Sequence, residues 1–292
     1  MTHRRAPVPL LVTMDLELAP DHHLEEQRRA LDLLRRDLSL LKLPLTIFAT
    51  ARAVEAFPIE TRRLSESGHE VGCHGLSHDD AENFQRMPES EVRGVLRGAT
   101  SILQKTIGTS PRAFRGPRMC TSVVTQRVLV EEGYKSDFSV CPQRLDAFTC
   151  QGANLGWLAA PRNAYRPSAT SPYRRGGLPI VVVPLSGCGL PFVSGLVYLL
   201  GLSCAKLCFR ILLAEARRTG APIVYLFHSY EFARFLGPCG DNRPPHQRWY
   251  TAHPGKRYAL NHALFRFMLT HDDVTPTTAS AFVNAFEERA RA

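Results

Sequence analysis

An α/β fold built around a parallel sheet is predicted by three observations in this 292-residue sequence. Short apolar runs alternate along the chain with segments of helical periodicity, the pattern of repeated βα units. Two late runs, "LPIVVVPLS" and "APIVYLFHS", are apolar on both faces, as suits parallel strands covered by helices. The length is compatible with one α/β barrel and no feature forces a split, so residues 1–292 are read as a single domain.

The elements follow in order. "VPLLVTMDLE" (8–17) reads as the first strand. Leu24, Leu31, Leu34, Leu38 and Leu41 recur at spacings of seven, three, four and three, one face of a helix that must end before Pro44. "LTIFATA" (45–51) is a second strand, followed by a helix from Pro58 to Ser67 and a strand from Glu70 to Gly75. Val92, Val95, Leu96, Ala99 and Leu103 mark a helix that stops at Gly108. "RAFRGPRM" and "YKSDFSV" are shorter strands around a helix from Val123 to Glu132, and helical patterns return at Ala259–Leu269 and Ser280–Arg289.

With 44% hydrophobic and 22% charged residues, the composition excludes a disordered chain. Lys and Arg outnumber Asp and Glu by 36 to 27, which favours anionic partners such as phosphates, acidic glycans or a lipid surface. The basic residues form no long run, so a solvated basic surface explains the charge equally well. Cysteines at 73, 120, 141, 150, 188, 204, 208 and 239 form no CxxC pair, which argues against a disulfide scaffold or a Cys-type zinc site. Reduced thiols and a cytoplasmic location are expected, because the apolar run near the N-terminus is interrupted by Pro9 and closed by Asp15, a poor export signal. No charged residue occurs between Arg175 and Lys206. Pro184, Gly187, Gly189, Pro191, Gly195 and Gly201 break that stretch, so a core strand plus a buried helix is expected instead of a membrane span. An interfacial helix with Lys206 and Arg210 snorkelling, in peripheral contact with the inner membrane surface, is the alternative.

Polar residues at strand ends matter in such an architecture, because the C-terminal mouth of a βα barrel is where sites are assembled. Asp15 and Glu17 end the first strand, His74 and His78 the third, Arg115 and Asp137 the two short ones, and His228 the last. Two neutral imidazoles and a carboxylate make an open zinc site. HxxxH alone is a weak signal, since a polar turn accounts for two histidines, and Arg115 or Asp137 taken singly reads as an ordinary ion-pair residue. Asp15 and Glu17 stand at i and i+2, so both can point to the same side of a strand. Leu226 reads as a core or pocket-wall residue, and His228 lies in a strongly apolar run.

Taken in order, these segments resemble the polysaccharide deacetylase family, the NodB-homology or carbohydrate esterase family 4 group. "TMDLE" (13–17) is similar to the first family motif, usually TFDD, and "HGLSH" (74–78) matches the H-[ST]-x-x-[HW] motif in its histidine spacing. "FRGPR" (114–118), "GYKSDFS" (133–139) and "LFHSYE" (226–231) resemble the arginine, aspartate and final histidine motifs. The resemblance implies a distorted (β/α) barrel of seven or so strands. It implies a divalent metal, Zn2+ first, held by His74, His78 and an acidic residue, with Asp15 as the base that takes a proton from metal-activated water. Glu17 is the candidate third ligand, because Leu16 stands where the family places its metal aspartate; Asp79 and Asp80 are the alternatives. His228 is implied as the acid, Asp137 as its orienting partner, Arg115 as the partner of Asp15, and a backbone N–H near Arg118 as an oxyanion donor.

The implied reaction removes an N-acetyl group from an amino sugar of a glycan or glycolipid precursor. The arginines of "PRNAYRPSATSPYRRGG" (161–177), Arg166 among them, suggest a loop that grips phosphate, and a solvated loop is the plainer account. Trp249 and Tyr250, set among basic groups, suit stacking on a sugar ring or on bases, against a plain barrel edge. The expected partner is therefore an N-acetylated sugar or glycan, phosphate- or lipid-linked, and not a nucleic acid. The readings left open are a deformylase of a lipid-linked amino sugar and a non-catalytic barrel that binds glycan or nucleic acid.

Overall fold

The computed structural model describes residues 7–18, 24–142, 155–233 and 253–291. In chain order these form β1 (Val8–Leu16), α1 (Leu24–Leu41), β2 (Leu45–Ala49), α2 (Ala51–Ala56), α3 (Pro58–Glu66), β3 (Glu70–Cys73), α4 (Glu89–Ile107) and β4 (Ala113–Phe114). Then come α5 (Val123–Glu131), β5 (Ser136–Asp137), β6 (Pro167–Ser168), β7 (Ser171–Arg175), β8 (Val181–Val182), α6 (Ser194–Thr219), β9 (Ile223–His228), α7 (Pro254–Met268), β10 (Val274–Pro276) and α8 (Ala279–Arg291).

β1 is the hub of the sheet. Every residue but Pro9 is buried, and β1 pairs in parallel with β2, β9 and β10. From β9 the parallel order runs through β1, β2, β3, β4 and β5 to β8. The curled sheet nearly closes where Ser186 N donates to Val224 O at 3.3 Å and Val224 N to Ser186 Oγ at 2.9 Å. The result is the distorted (β/α) barrel of seven parallel strands that the sequence predicts, with β10 beside the start of β1.

The twofold alternation of β1 divides the core. Leu10, Val12, Met14 and Leu16 pack outward against the helices, together with Leu31, Leu34 and Leu38 of α1. Leu11 faces inward with Phe48, Phe138 and Trp157. α8 closes the N-terminal end of the barrel. Its first residues are tied to the starts of β2 and β3, Ala279 N to Thr46 Oγ1 at 2.8 Å and Ser280 N to Glu70 at 2.7 Å, while Phe282 and Val283 join the inner core. The C-terminal strand ends form the mouth.

Three elements differ from the sequence reading. The second strand stops at Ala49, because the Thr50 hydroxyl accepts from Ala53 N at 3.2 Å and so caps α2, a helix the strand propensity of "LTIFATA" obscured. The third strand ends at Cys73, freeing the backbone of residues 74–78 to turn. The arginine-containing loop at 161–177 includes an antiparallel hairpin, β6–β7.

The uncharged stretch becomes α6, interrupted at Gly201, whose φ of 81° and ψ of 169° are non-helical. One face, including Leu196, Phe209, Leu212 and Leu213, is buried in the core, while Leu199, Leu207 and Ile211 on the other are exposed. The helix is thus two-sided, where the sequence reading put a buried helix ahead of an interfacial one.

Candidate active site

The end of β1 delivers two carboxylates to the mouth. Asp15 pairs in register with Phe48 of β2 and His228 of β9. Leu16, fully buried, turns to the helix layer, so a side chain at 16 is directed away from the barrel interior and residue 17 is the next to return to it. That alternation places Glu17, not residue 16, among the histidines.

The "HGLSH" loop is held from both sides. The first N–H groups of α2, at Ala51 and Arg52, donate to the carbonyls of Gly75 and Leu76 at 3.1 and 3.0 Å. From within, the Glu82 carboxylate accepts from Leu76 N at 2.5 Å, Ser77 N at 2.7 Å, Ser77 Oγ at 3.0 Å and His78 N at 2.8 Å. Gly75 has a φ of 79°, and a Cβ there would collide with Glu82. His78 is itself left-handed, with a φ of 69°. Glu82 was not singled out in the sequence; its separation of four residues from His78 carries no motif.

His74 shows what this geometry suits. Its Nδ1 lies 2.6 Å from the carbonyl oxygen of Arg115, and a carbonyl only accepts, so Nδ1 carries the hydrogen. Nε2 then directs a lone pair at Glu17 Oε1, 3.1 Å away, with Asp15 Oδ2 at 3.7 Å. Two acceptors at that separation repel unless a cation lies between them. A proton can fill that role: burial disfavours a charged His74, but Asp15 and Glu17 outweigh it and raise its pKa. A divalent metal fills it with more bonds, since His78 Nε2 lies 3.4 Å from the same Glu17 oxygen and one ligand atom each from Glu17, His74 and His78 lie within 4.8 Å of one another.

The electrostatics agree with that donor set. Burial opposes ionisation of Glu17, yet His78, His74 and His228 together hold its carboxyl well below the usual range. Burial pulls the His78 pKa down, and Glu17 offsets only part of that, which favours the neutral form that ligation needs. The contact of His74 Nδ1 with a carbonyl is the orienting hydrogen bond that metal-ligating histidines commonly make. The residues therefore fit a divalent cation with three protein ligands. Asp79 and Asp80 point elsewhere, Asp79 to Arg52 at 3.4 Å and Asp80, 89% exposed at its side chain, to Arg118 at 2.6 Å.

Across the barrel, Arg115 is fully buried. It donates to Asp15 Oδ1 at 2.6 Å and Thr13 Oγ1 at 2.9 Å, with its guanidinium 4.2 Å from the Phe48 ring centroid. Asp15, Glu17 and His228 form a second cluster whose ligating atoms lie within 4.8 Å. Burial works against a charged His228, but its hydrogen bond to Glu231 and the charges of Glu17, Glu231 and Asp15 raise its pKa to about 9.

The partner of His228 differs from the one the resemblance implies. Both Asp137 oxygens are taken, Oδ1 by Ser139 N and Oγ at 2.9 and 2.5 Å, and Oδ2 by Thr121 Oγ1 and Gln126 Nε2 at 2.8 and 3.0 Å. His228 Nδ1 instead faces Glu231 Oε1 at 3.0 Å. Glu231 is fully buried and is held by Ser194 Oγ and Tyr198 OH of α6, each at 2.6 Å. His228 and Glu231 bracket a short 3-10 turn as a reciprocal capping box, so H-x-x-E at a strand end was the readable signal.

The candidate substrate-binding residues scatter. Arg118 braces the loop, donating to His78 O at 3.2 Å as well as to Asp80. It has a φ of 54°, and Met119 one of 60°, two consecutive left-handed residues beside the site. Leu226 lies in the inner core. Arg166 does not join the mouth: it pairs with Glu287 of α8 at 3.2 Å, the helix that closes the other end of the barrel. Arg162 is likewise engaged, with Glu215 at 2.5 Å. Trp249 and Tyr250 lie outside the described residues.

Residues 24–136 match the sequence model of the family described as polysaccharide deacetylase. A peptidoglycan deacetylase of Helicobacter pylori is 31% identical over 98 residues, covering 34% of this chain and 32% of that protein. The chain thus spans about a third of the length of the curated relatives it matches. A Mycobacterium smegmatis structure described as a polysaccharide deacetylase superposes with a TM-score of 0.65 at 17% identity, covering 98% of this chain and 94% of that one. An allantoinase superposes with a TM-score of 0.62 at 19% identity, covering 97% and 91%. At such identities the likeness is one of fold, which two differently named enzymes share. Residues 24–136 are thus similar in sequence to the polysaccharide deacetylase family, and the barrel that holds them has the fold of a structure described by that name.

Proposed function

We propose that the protein hydrolyses the N-acetyl amide of an amino sugar in a glycan or glycolipid, using a divalent metal, Zn2+ first, held by Glu17, His74 and His78. One observation carries this reading. A three-residue ligand set shares Glu17 with a second cluster that holds Asp15, a carboxylate fixed by a buried arginine, and His228, an imidazole fixed by a buried glutamate. The curated relatives named for peptidoglycan and for its N-acetylglucosamine support an N-acetylated sugar as the substrate class.

The roles follow from the contacts. When bound, the metal would supply Lewis acidity to the amide carbonyl and lower the pKa of an attacking water. Asp15 takes the proton of that water as its oxygen bonds to the carbonyl carbon. Arg115 occupies Oδ1, which leaves Oδ2, the oxygen 3.7 Å from His74 Nε2, on the reacting side. His228, cationic at neutral pH through its raised pKa, gives its proton to the amide nitrogen as the C–N bond breaks. Acetate and a free amine leave. Glu231 fixes the His228 ring through Nδ1.

The test is acetate release from N-acetylglucosamine oligomers by zinc-loaded protein, wild type against Asp15→Asn and His228→Ala. Loss of about 10²–10⁴-fold in each variant is expected from a positioned base or acid. No acetate from the loaded wild type, with sugar binding retained, would replace this reading with a non-catalytic barrel.

A further inference from the structure

The exposed face of α6 has no role in the chemistry above. Leu199 and Leu207 are 67% and 56% exposed, and Leu200 and Ile211 lie with them along the helix. Leu190, just before the helix, is exposed as well. Large apolar side chains clustered on one solvent-facing helix mark a contact surface more often than single exposed leucines do.

The charge beside this face is one-sided. α6 and α7, which pack together, carry seven Lys and Arg against one acidic residue, Glu215; with Arg217 paired to Asp273 and Arg257 buried, Lys206, Arg210, Arg218, Lys256 and Arg266 remain. That acid is neutralised by Arg162. Lys206 and Arg210, next in sequence to the exposed Leu207 and Ile211, place their charged groups over the Phe267 ring, 4.9 and 5.3 Å from its centroid. The chain as a whole has 36 basic and 27 acidic residues, so the excess on these two helices is far above its average. Leucines interleaved with long basic side chains suit the boundary between lipid headgroups and acyl chains, where the apolar groups sink and the cations stay at phosphate level.

Position adds a second argument. α6 begins at the mouth: Val193 bridges Leu226, and Ser194 is hydrogen-bonded to the Glu231 that holds His228. Leu199 is five residues on, about 7.5 Å along the helix at 1.5 Å per residue. A surface contacted there would lie beside the strand ends where the candidate catalytic groups meet. The helix does not itself span a bilayer, because Leu196, Phe209, Leu212 and Leu213 are built into the core and Gly201 breaks the helix.

We propose that the exposed leucine face of α6, with the flanking basic residues of α6 and α7, docks on an anionic lipid surface at the rim of the mouth. The docking is independent of the hydrolytic reading, since it needs no metal and no substrate. It is tested by co-sedimentation of the full chain with vesicles of phosphatidylcholine alone and with about a third phosphatidylglycerol. Binding to the anionic vesicles that weakens at high salt is expected. Leu199→Asn with Leu207→Asn should lower it at least tenfold, and Arg210→Gln a few-fold, with thermal unfolding unchanged. Leu207→Trp supplies a readout that does not depend on loss: its added fluorescence should be quenched by brominated acyl chains. No anionic preference, variants that bind as well as wild type, or a dimer in light scattering that the two asparagines abolish would each overturn the proposal, the last by assigning the face to a second copy.

Discussion

His228 and Glu231 lie three residues apart and face one another, Nδ1 to Oε1 at 3.0 Å, across a single 3-10 turn at the end of β9. The orienting carboxylate therefore comes from the same strand end as the imidazole, while Asp137 is locked into a separate buried network. Removing the charge should lower the pKa of His228, because Glu231 is among the groups that raise it to about 9. His228 donates its proton only below its pKa, so activity lost on the alkaline side should be lost at lower pH in Glu231→Gln than in wild type. The comparison is made with both proteins equally metal-loaded, and a fall in kcat of about 10²-fold should accompany it. An unmoved alkaline limb would return the orienting role to another residue.

The ligand assignment predicts a selective loss of metal. His74→Ala, His78→Ala and Glu17→Ala should each reduce bound zinc from about one equivalent to a small fraction, whereas Asp79→Ala should retain it, because Asp79 faces Arg52. Thermal unfolding gives a readout separate from activity. A metal at about a hundred times its Kd stabilises the fold by about 2.7 kcal/mol, and that gain should vanish in the three ligand variants. Equal zinc-dependent stabilisation in wild type and Glu17→Ala would remove Glu17 from the set.

Glu82 should matter as much as a ligand although it touches no reacting group. Its carboxylate accepts four hydrogen bonds from residues 76–78, and in Glu82→Gln the NH2 that replaces one oxygen cannot accept those made to it. A buried donor left unpaired costs about 1–3 kcal/mol, so a lower melting temperature is expected. Zinc affinity should also fall about 10- to 100-fold as His78 loses its fixed backbone. Normal zinc affinity in a destabilised Glu82→Gln would limit this residue to a structural role.

What was legible in the sequence was what strand geometry dictates. Period-two alternation puts Asp15 and Glu17 on one side with Leu16 on the other, and β1, β9 and α1 fall where their apolar patterns place them. The groups that meet at the mouth stand at the ends of separate strands, so their order along the chain could be read before their contacts were known. Second partners were not legible. Whether His228 meets Asp137 or Glu231 depends on which carboxylate the neighbouring elements occupy, and Thr121, Gln126 and Ser139 claim Asp137. Arg166 failed for a related reason: an arginine in a turn-rich segment suggests an anion site, but α8 returns Glu287 to it from more than a hundred residues away. α6 was misread in part because composition reports hydrophobicity without saying which face is covered.

His69 offers a test of the fold instead of the site. It is buried next to the start of β2, where its Nδ1 accepts the Leu45 N–H at 3.1 Å, so the imidazole must be neutral at that nitrogen. Burial, with the charge of Arg35, pushes its pKa down to about 4 from 6.5. Between those two values the unfolded chain binds a proton that the folded protein does not, so stability falls as pH drops through that window. One pKa unit corresponds to about 1.4 kcal/mol, which sets an upper limit of about 3.5 kcal/mol for this one group. His69→Asn keeps an acceptor for Leu45 N but cannot titrate. Its stability deficit against wild type, measured by urea unfolding, should therefore be largest at pH 7 and should shrink or reverse by pH 4.5. A deficit that stays constant across that range would mean that His69 does not contribute to acid sensitivity.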